Sequence, residues 1–275
     1  MRDSGDDDLL VEARSALLDA LEALQQHRES VIVVGAQAIY LHTGSVSLAL
    51  AEATKDSDLA LDIRSLGEDP LLQEAMQAAG FQHDLQSGQP GTWLNPRGIP
   101  VDLLVPESLL SDKRGRRGAR IPPHSAKAAR RVAGLEAAVI DNAAVEIRAL
   151  SPTDTRIYTA KVAGPAALVV AKLHKLGERQ ATPHRLVDKD AHDIYRLLVA
   201  VPTKTIAGTL HRLRSDPLAG SVTTTALTFL ETLFAAGPAA IGSKMAGRAE
   251  EGVGDPDVVA ASVSTLARDI LSALP

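Results

Sequence analysis

The chain has 275 residues, with 29 Lys or Arg against 34 Asp or Glu, so its net charge of −5 excludes a uniformly basic coat protein but not a local basic patch. Apolar residues make up 45% and charged residues 23%, which is ordinary for a globular protein of one or two domains. With no cysteine and 3% aromatics, disulfide scaffolds, cysteine-ligated zinc, thiol nucleophiles and base-stacking single-strand binders are set aside.

The N-terminus, Met-Arg-Asp-Ser-Gly-Asp-Asp-Asp, carries the wrong charge for a signal peptide. The longest apolar run, Val31 to Leu41, is shorter than the roughly 20 residues a membrane span requires. A soluble, cytoplasmic protein is expected. Residues 9–27 repeat leucine and alanine at helical spacing and predict an amphipathic helix. Val31–Val34 is a β-branched run that stops at Gly35, which predicts a buried strand, and Ala36 to Leu41 begins a short helix behind it. Residues 44–55 read as a loop. Leu59, Leu61 and Ile63 alternate with polar residues and predict a half-buried strand. A helix is expected over 69–79, capped by Gly80. Thr92–Leu94 and Ile99–Leu104 flank Asn95-Pro96-Arg97-Gly98, which is turn chemistry between two strands of a hairpin.

Residues 113–131 read as a basic, flexible loop: Lys113, Arg114, Arg116, Arg117, Arg120, Lys127, Arg130 and Arg131 face Asp112 alone among nearby acids in sequence. Val145, Ile147 and Ala149 alternate again as a strand that ends at Ser151-Pro152. Beyond it, 163–176, 188–200, 203–214, 222–235 and 256–273 predict helices. The expected fold is therefore a mixed-sheet α/β (α+β) domain over 1–151, followed by an all-helical domain over 152–275.

The chemistry concentrates in Thr54-Lys55-Asp56-Ser57-Asp58-Leu59-Ala60-Leu61-Asp62. On a strand, Asp56, Asp58 and Asp62 share one face and the leucines share the other. Like charges on one face repel, and a divalent cation removes the conflict. Magnesium prefers such oxygen ligands and is typically held by one or two carboxylates plus substrate phosphates. In Pro100-Val101-Asp102-Leu103-Leu104, Asp102 interrupts an apolar run and would complete a three-carboxylate site if its strand lay beside the first. Solvated acids on an edge strand are the bland alternative. Gly35 would let backbone approach a phosphate, with free N–H groups of the following helix beside it. Downstream, Lys172, Lys175 and Arg179 fall on one helix face, and Lys161 would extend the stripe if the helix began early. Asp190 and Asp193 lie three apart on the next helix. No His-Glu-x-x-His, Walker A or Gly-x-Gly-x-x-Gly pattern is present, which disfavours zinc hydrolysis, P-loop ATPases and dinucleotide enzymes.

Gly35-Ala36, Thr54-x-Asp56-x-Asp58 and the lone Asp102 resemble the DNA polymerase β-type nucleotidyltransferase superfamily. Ala171-Lys172-Leu173-His174 with Arg179, then Lys189-Asp190-Ala191-His192-Asp193-Ile194-Tyr195, resembles within it the AbiEii-type toxin nucleotidyltransferases, which include the MenT toxins. The resemblance spans roughly residues 30–200 and departs at Ala36, where the family usually has Ser or Gly. It implies an NTP substrate, Mg2+ on Asp56, Asp58 and Asp102, phosphate contact by Lys172, and a positioning role for Asp190 or Asp193. Gly35, Ala36, Lys175 and Arg179 would join in nucleotide binding. It further implies a tRNA 3′ end as acceptor and a cognate antitoxin protein; the basic run, with Arg114, Arg116, Arg117 and Arg120, reads either as a contact for an RNA backbone or as a surface loop with no partner. A small-molecule nucleotidyltransferase and a catalytically inactive binding protein of the same fold stay open as alternatives.

Overall fold

The computed structural model describes residues 4–44, 56–111 and 117–274, with side chains from residue 9 onward. The chain runs α1 (Ser4–Ala23), β1 (Val31–Val34), α2 (Gly35–Thr43), β2 (Ser57–Leu61), α3 (Leu72–Ala78), β3 (Gln82–His83), β4 (Thr92–Leu94) and β5 (Pro100–Pro106). It continues through β6 (Arg130–Val132), α4 (Glu136–Ile140), β7 (Asn142–Arg148) and β8 (Ile157–Ala163). Among the described residues, six α-helices follow: α5 (Pro165–Arg179), α6 (Asp188–Ala200), α7 (Thr203–Arg214), α8 (Gly220–Leu230), α9 (Ile241–Arg248) and α10 (Pro256–Ala273). The expected order of a mixed sheet followed by helices is what the molecule has. Among the described residues, no helix is long and apolar enough to cross a membrane.

Two compact units divide the chain. The first comprises Met1–Ala38, Ala53–Leu135 and Asn142–Ala163; the second comprises Ile39–Glu52, Glu136–Asp141 and Gly164–Pro275. The first unit is built on a mixed sheet ordered β3-β4-β5-β2-β1-β8-β7, with β6 also paired to β5. Its centre is apolar for a topological reason. Strand β1 pairs antiparallel with β2 and parallel with β8, and all four of its residues are buried. Strand β2 lies between β1 and β5, and Ser57, Leu59, Ala60 and Leu61 are buried, so it is more enclosed than its alternation suggests. Arg14 of α1 is buried: its Nε donates to Gln37 Oε1 at 2.8 Å and its Nη1 to the Arg148 carbonyl at 3.0 Å. Burial lowers that guanidinium to about 10.

The hairpin of β4 and β5 forms as its turn residues dictate. Asn95 Oδ1 accepts from the backbone N–H of Arg97 at 3.0 Å and of Ile99 at 2.9 Å, and Gly98 takes a positive φ of 78°. The register that results sets Thr92 opposite Asp102.

The basic segment departs from expectation. Arg114 and Arg116 lie outside the described residues. From Arg117 onward the chain folds back on itself: the Arg131 N–H donates to the Arg117 carbonyl at 3.0 Å and the Ala119 N–H to the Ala129 carbonyl at 2.9 Å. Ala119, Ala128 and Ala129 are buried, and Trp93 Nε1 donates to the Ala128 carbonyl at 3.0 Å. Residues 117–131 are thus an anchored arm, and acids remote in sequence pair with its arginines: Asp102 with Arg130 and Glu107 with Arg131. Lys161 likewise belongs to β8, where it pairs with Glu29 at 3.2 Å, so the α5 stripe does not include it. Because β8 follows Pro152, the run of helices begins at Pro165.

In the second unit, α5 packs against α4, α6, α7 and α8. Gly177 of α5 lies flat against the Phe229 ring, and a Cβ there would overlap it. Gly177→Ala is expected to destabilise this unit by about 1–3 kcal/mol, the cost of overpacking, despite the better helix propensity of alanine. A urea unfolding midpoint at or above that of the parent would contradict this packing.

Candidate active site

The first unit gathers its chemistry where β1, β2 and β5 run side by side. The parallel register of β2 and β5 pairs Asp58 with Asp102, so the two carboxylates share a face as adjacent-strand neighbours. The antiparallel register of β1 sets Val34 on the other side of Asp58, and the chain turns into α2 at Gly35. Gly35 has φ 65°, and a Cβ there would lie 2.9 Å from Asp58 Cγ and closer still to Oδ2. Both the backbone conformation and the proximity of that carboxylate require glycine. The residue after it, Ala36, is buried.

Asp102 is half-buried and engaged at both oxygens. Thr92 Oγ1 donates to Oδ1 at 2.6 Å, and Arg130 Nη2 donates to Oδ2 at 2.5 Å. Asp56 is exposed and immediately precedes β2. Asp62 lies past the other end of the strand, where burial opposes its ionisation but Arg64, 2.9 Å away, outweighs that and holds the carboxyl below the usual carboxylate range, so it leaves the group of acids. Among the described residues, no three acidic or histidine side chains converge closely enough to hold a metal ion. Two carboxylates in register do fit a hard cation. An oxygen donor set suits magnesium, which takes one or two carboxylates and completes its shell with water and phosphate oxygens. The guanidinium on Asp102 shows that this position accepts a positive partner.

The second unit holds a separate charged cluster. Lys172 Nζ lies 2.8 Å from Asp190 Oδ1 and 2.7 Å from Asp193 Oδ2. Asp190 also receives Lys175 at 2.8 Å and Arg179 at 3.4 Å. Three cations against two carboxylates leave the group at +1. The helices explain the convergence: Lys172, Lys175 and Arg179 share a face of α5, while Asp190 and Asp193 share a face of α6, against which α5 packs. Burial by itself would discharge Lys172, yet the attraction of Asp190 and Asp193 outweighs it and holds the ammonium above the usual lysine range. Burial likewise opposes ionisation of Asp190, and Lys172 and Lys175 reverse that effect, keeping it well below the usual carboxylate range. Lys172 is the enclosed member, with a side chain 10% exposed against 44% for Lys175 and 24% for Arg179. The accessible positive charge of the cluster is therefore on Lys175 and Arg179.

Sequence reasoning missed Thr92 and Arg130 as neighbours of Asp102. Thr92 was recoverable from the hairpin turn, which fixes the register. Arg130 was hidden in a segment read as a loop. Of the arginines expected at RNA, Arg117 and Arg120 are exposed.

A nucleotidyltransferase family model matches residues 12–212. The match covers most of the chain and takes in both charged groups, and the protein belongs to that family. It is a nucleotidyltransferase. Comparison with curated proteins and with solved structures returns no match for either.

Gly35→Ala is expected to displace the Asp58 carboxylate, reducing nucleotidyl transfer by roughly 100-fold or more, as misplacement of a reacting group by about 1 Å does. The result that contradicts this is a variant with parental activity.

Proposed function

We infer that the protein transfers a nucleoside monophosphate from a magnesium-bound NTP to the 3′ hydroxyl of an RNA, tRNA above all, as the toxin of a toxin–antitoxin pair. The observation that carries the chemical part is the register of Asp58 with Asp102 beside a Gly35 that admits no side chain. The acceptor and the antitoxin rest on the resemblance of Lys172 and Lys189-Asp190 to the AbiEii-type toxins, supported by the exposed Arg117 and Arg120.

In the proposed reaction, the acceptor oxygen forms a bond to the α-phosphorus. The bond from that phosphorus to the oxygen bridging to the β-phosphate breaks, and pyrophosphate leaves with its electron pair. Asp102 takes the hydroxyl proton. By their register Asp58 and Asp102 are the residues that would hold Mg2+, whose charge neutralises the triphosphate, and Asp56 is added to them by the resemblance alone. Gly35 and Ala36 offer backbone donors to phosphate. The resemblance assigns Lys172 to phosphate contact and Lys175 and Arg179 to nucleotide binding with it. The work is positioning and charge stabilisation, which phosphoryl transfer chiefly needs.

The test is incubation with each α-labelled NTP and total tRNA, either intact or periodate-oxidised to destroy the 3′ diol. Label on intact tRNA, lost after oxidation, supports the reading. Label that survives oxidation overturns the 3′ acceptor. Transfer to a small molecule or a protein instead overturns RNA.

A further inference from the structure

Arg130 is the feature of the first unit that the proposed chemistry does not use. It stands on β6, where it pairs in register with Leu104, two residues past Asp102 on β5, and so lies on the Asp102 face. Its Nη2 meets Asp102 Oδ2 at 2.5 Å, and its Nη1 donates to Gln89 Oε1. Its Nε is buried and makes no hydrogen bond among the described residues. A buried guanidinium donor without an acceptor carries a desolvation penalty that calls for an explanation. The Nε–Nη2 edge is also the fork with which arginine grips a phosphate or a carboxylate through two parallel hydrogen bonds. Here one tine is on the carboxylate and the other has no partner among the described residues.

We propose that Arg130 is the resident counter-cation of Asp102 and competes with the divalent metal for it, so that this arginine sets the metal affinity of the site. The inference rests on the reading of Asp58 and Asp102 as metal-holding carboxylates. The Asp102 side chain is 15% exposed and that of Arg130 is 21% exposed, so water screens their attraction only in part. An ion arriving at Asp102 must displace the guanidinium or share the carboxylate with it at the cost of like-charge repulsion. On release, the Nε–Nη2 fork is free for an anion, and the triphosphate that accompanies the metal is the anion of matching geometry. Arg130 is therefore a positioning residue: its charge keeps Asp102 compensated before substrate arrives and leaves that role when substrate does.

The test is titration of the full-length protein with Mn2+ in the absence of nucleotide, followed by the electron paramagnetic resonance of the free ion. The parent is compared with Arg130→Met, which keeps the apolar stem, with Arg130→Gln, which keeps a neutral donor, and with Asp58→Asn. The expected result is Mn2+ affinity at least about tenfold higher in Arg130→Met or Arg130→Gln than in the parent, a gain abolished when Asp58→Asn is added. A purely structural ion pair would not raise metal affinity when broken. Asp58-dependent binding of equal or lower strength in both Arg130 variants overturns the competition while leaving the metal site standing. Mn2+ binding that is indifferent to Asp58 in every form overturns the metal reading and the competition with it.

Discussion

Asp58→Asn is expected to remove nucleotidyl transfer, with a fall of roughly two to three orders of magnitude or more, the scale of losing one group that stabilises transferring charge. The substitution keeps the size of the side chain and removes its negative charge. Gly35 already shows how little room surrounds that carboxylate, so an isosteric change is the one that isolates charge from shape. The fold should survive it. Asp58 sits in β2 between two paired strands, and the backbone ladder that fixes it is untouched by the change. Circular dichroism and the urea midpoint of the variant should match the parent while transfer is lost. An Asp58→Asn protein with parental turnover would show that the paired carboxylates are a structural feature and that catalysis lies elsewhere.

Lys172→Met should unfold the second unit more readily, with a cost of about 3–5 kcal/mol, the range seen when one partner of a buried ion pair is removed. The side chain is long and apolar enough for methionine to fill its path. What is lost is the ammonium between Asp190 and Asp193, whose side chains are 4% and 1% exposed. Lys175 and Arg179 still reach Asp190, so the larger share of the penalty falls on Asp193. Adding Asp193→Leu to Lys172→Met should recover part of the lost stability, because two buried charges then leave together. A single Lys172→Met change that leaves the unfolding midpoint in place would contradict this account of the cluster.

The pH dependence of the same cluster has a definite sign. Asp190 titrates in the folded protein below its unfolded value, so the folded state favours its ionised form. Its contribution is fully present above the ordinary aspartate value of about 3.9 and is lost as pH falls through the lowered one. The stability gap between the parent and Asp190→Asn, read by urea unfolding, should be wide at neutral pH and should close in strong acid. A gap that widens on acidification would reverse the sign of the interaction.

The parts of the fold that could be read from sequence are those in which local pattern and tertiary environment agree. Val31–Val34, the Asn95–Gly98 hairpin and the helices α6, α7 and α10 appear with nearly their expected bounds, because each carries a clear local pattern. In α10, Asp255 caps the first turn through the Asp257 and Val258 N–H groups, with Pro256 at the first helical position. The elements that escaped are short or contradictory in composition. Strand β6 is Arg-Arg-Val, whose arginines speak against a strand until Asp102 and Glu107 are found beside them. Strand β8 interrupts its apolar residues with Thr159 and Lys161, and α9 contains Gly242 and Gly247, both tightly packed against neighbours.

The candidate site divides in the same way. The acids Asp58 and Asp102 were legible, one on the polar face of an alternating strand and one breaking an apolar run, while their adjacency is a matter of strand register. The enclosure of Lys172 was not, since spacing shows which residues share a helix face but not what packs on that face. The partners of Asp190 and Asp193, not visible in the sequence, differ: both hold Lys172, and Asp190 gathers Lys175 and Arg179 as well.

The most direct measurement follows the two ends of the substrate at once. NTP labelled at either the α- or the γ-phosphate is incubated with Mg2+, the protein and cellular RNA, and the products are separated by denaturing gel and thin-layer chromatography. The account predicts α-label on the acceptor and γ-label in pyrophosphate, in equal amounts, and neither with Asp58→Asn. Release of the γ-label as orthophosphate, with no α-label on any acceptor, would contradict it.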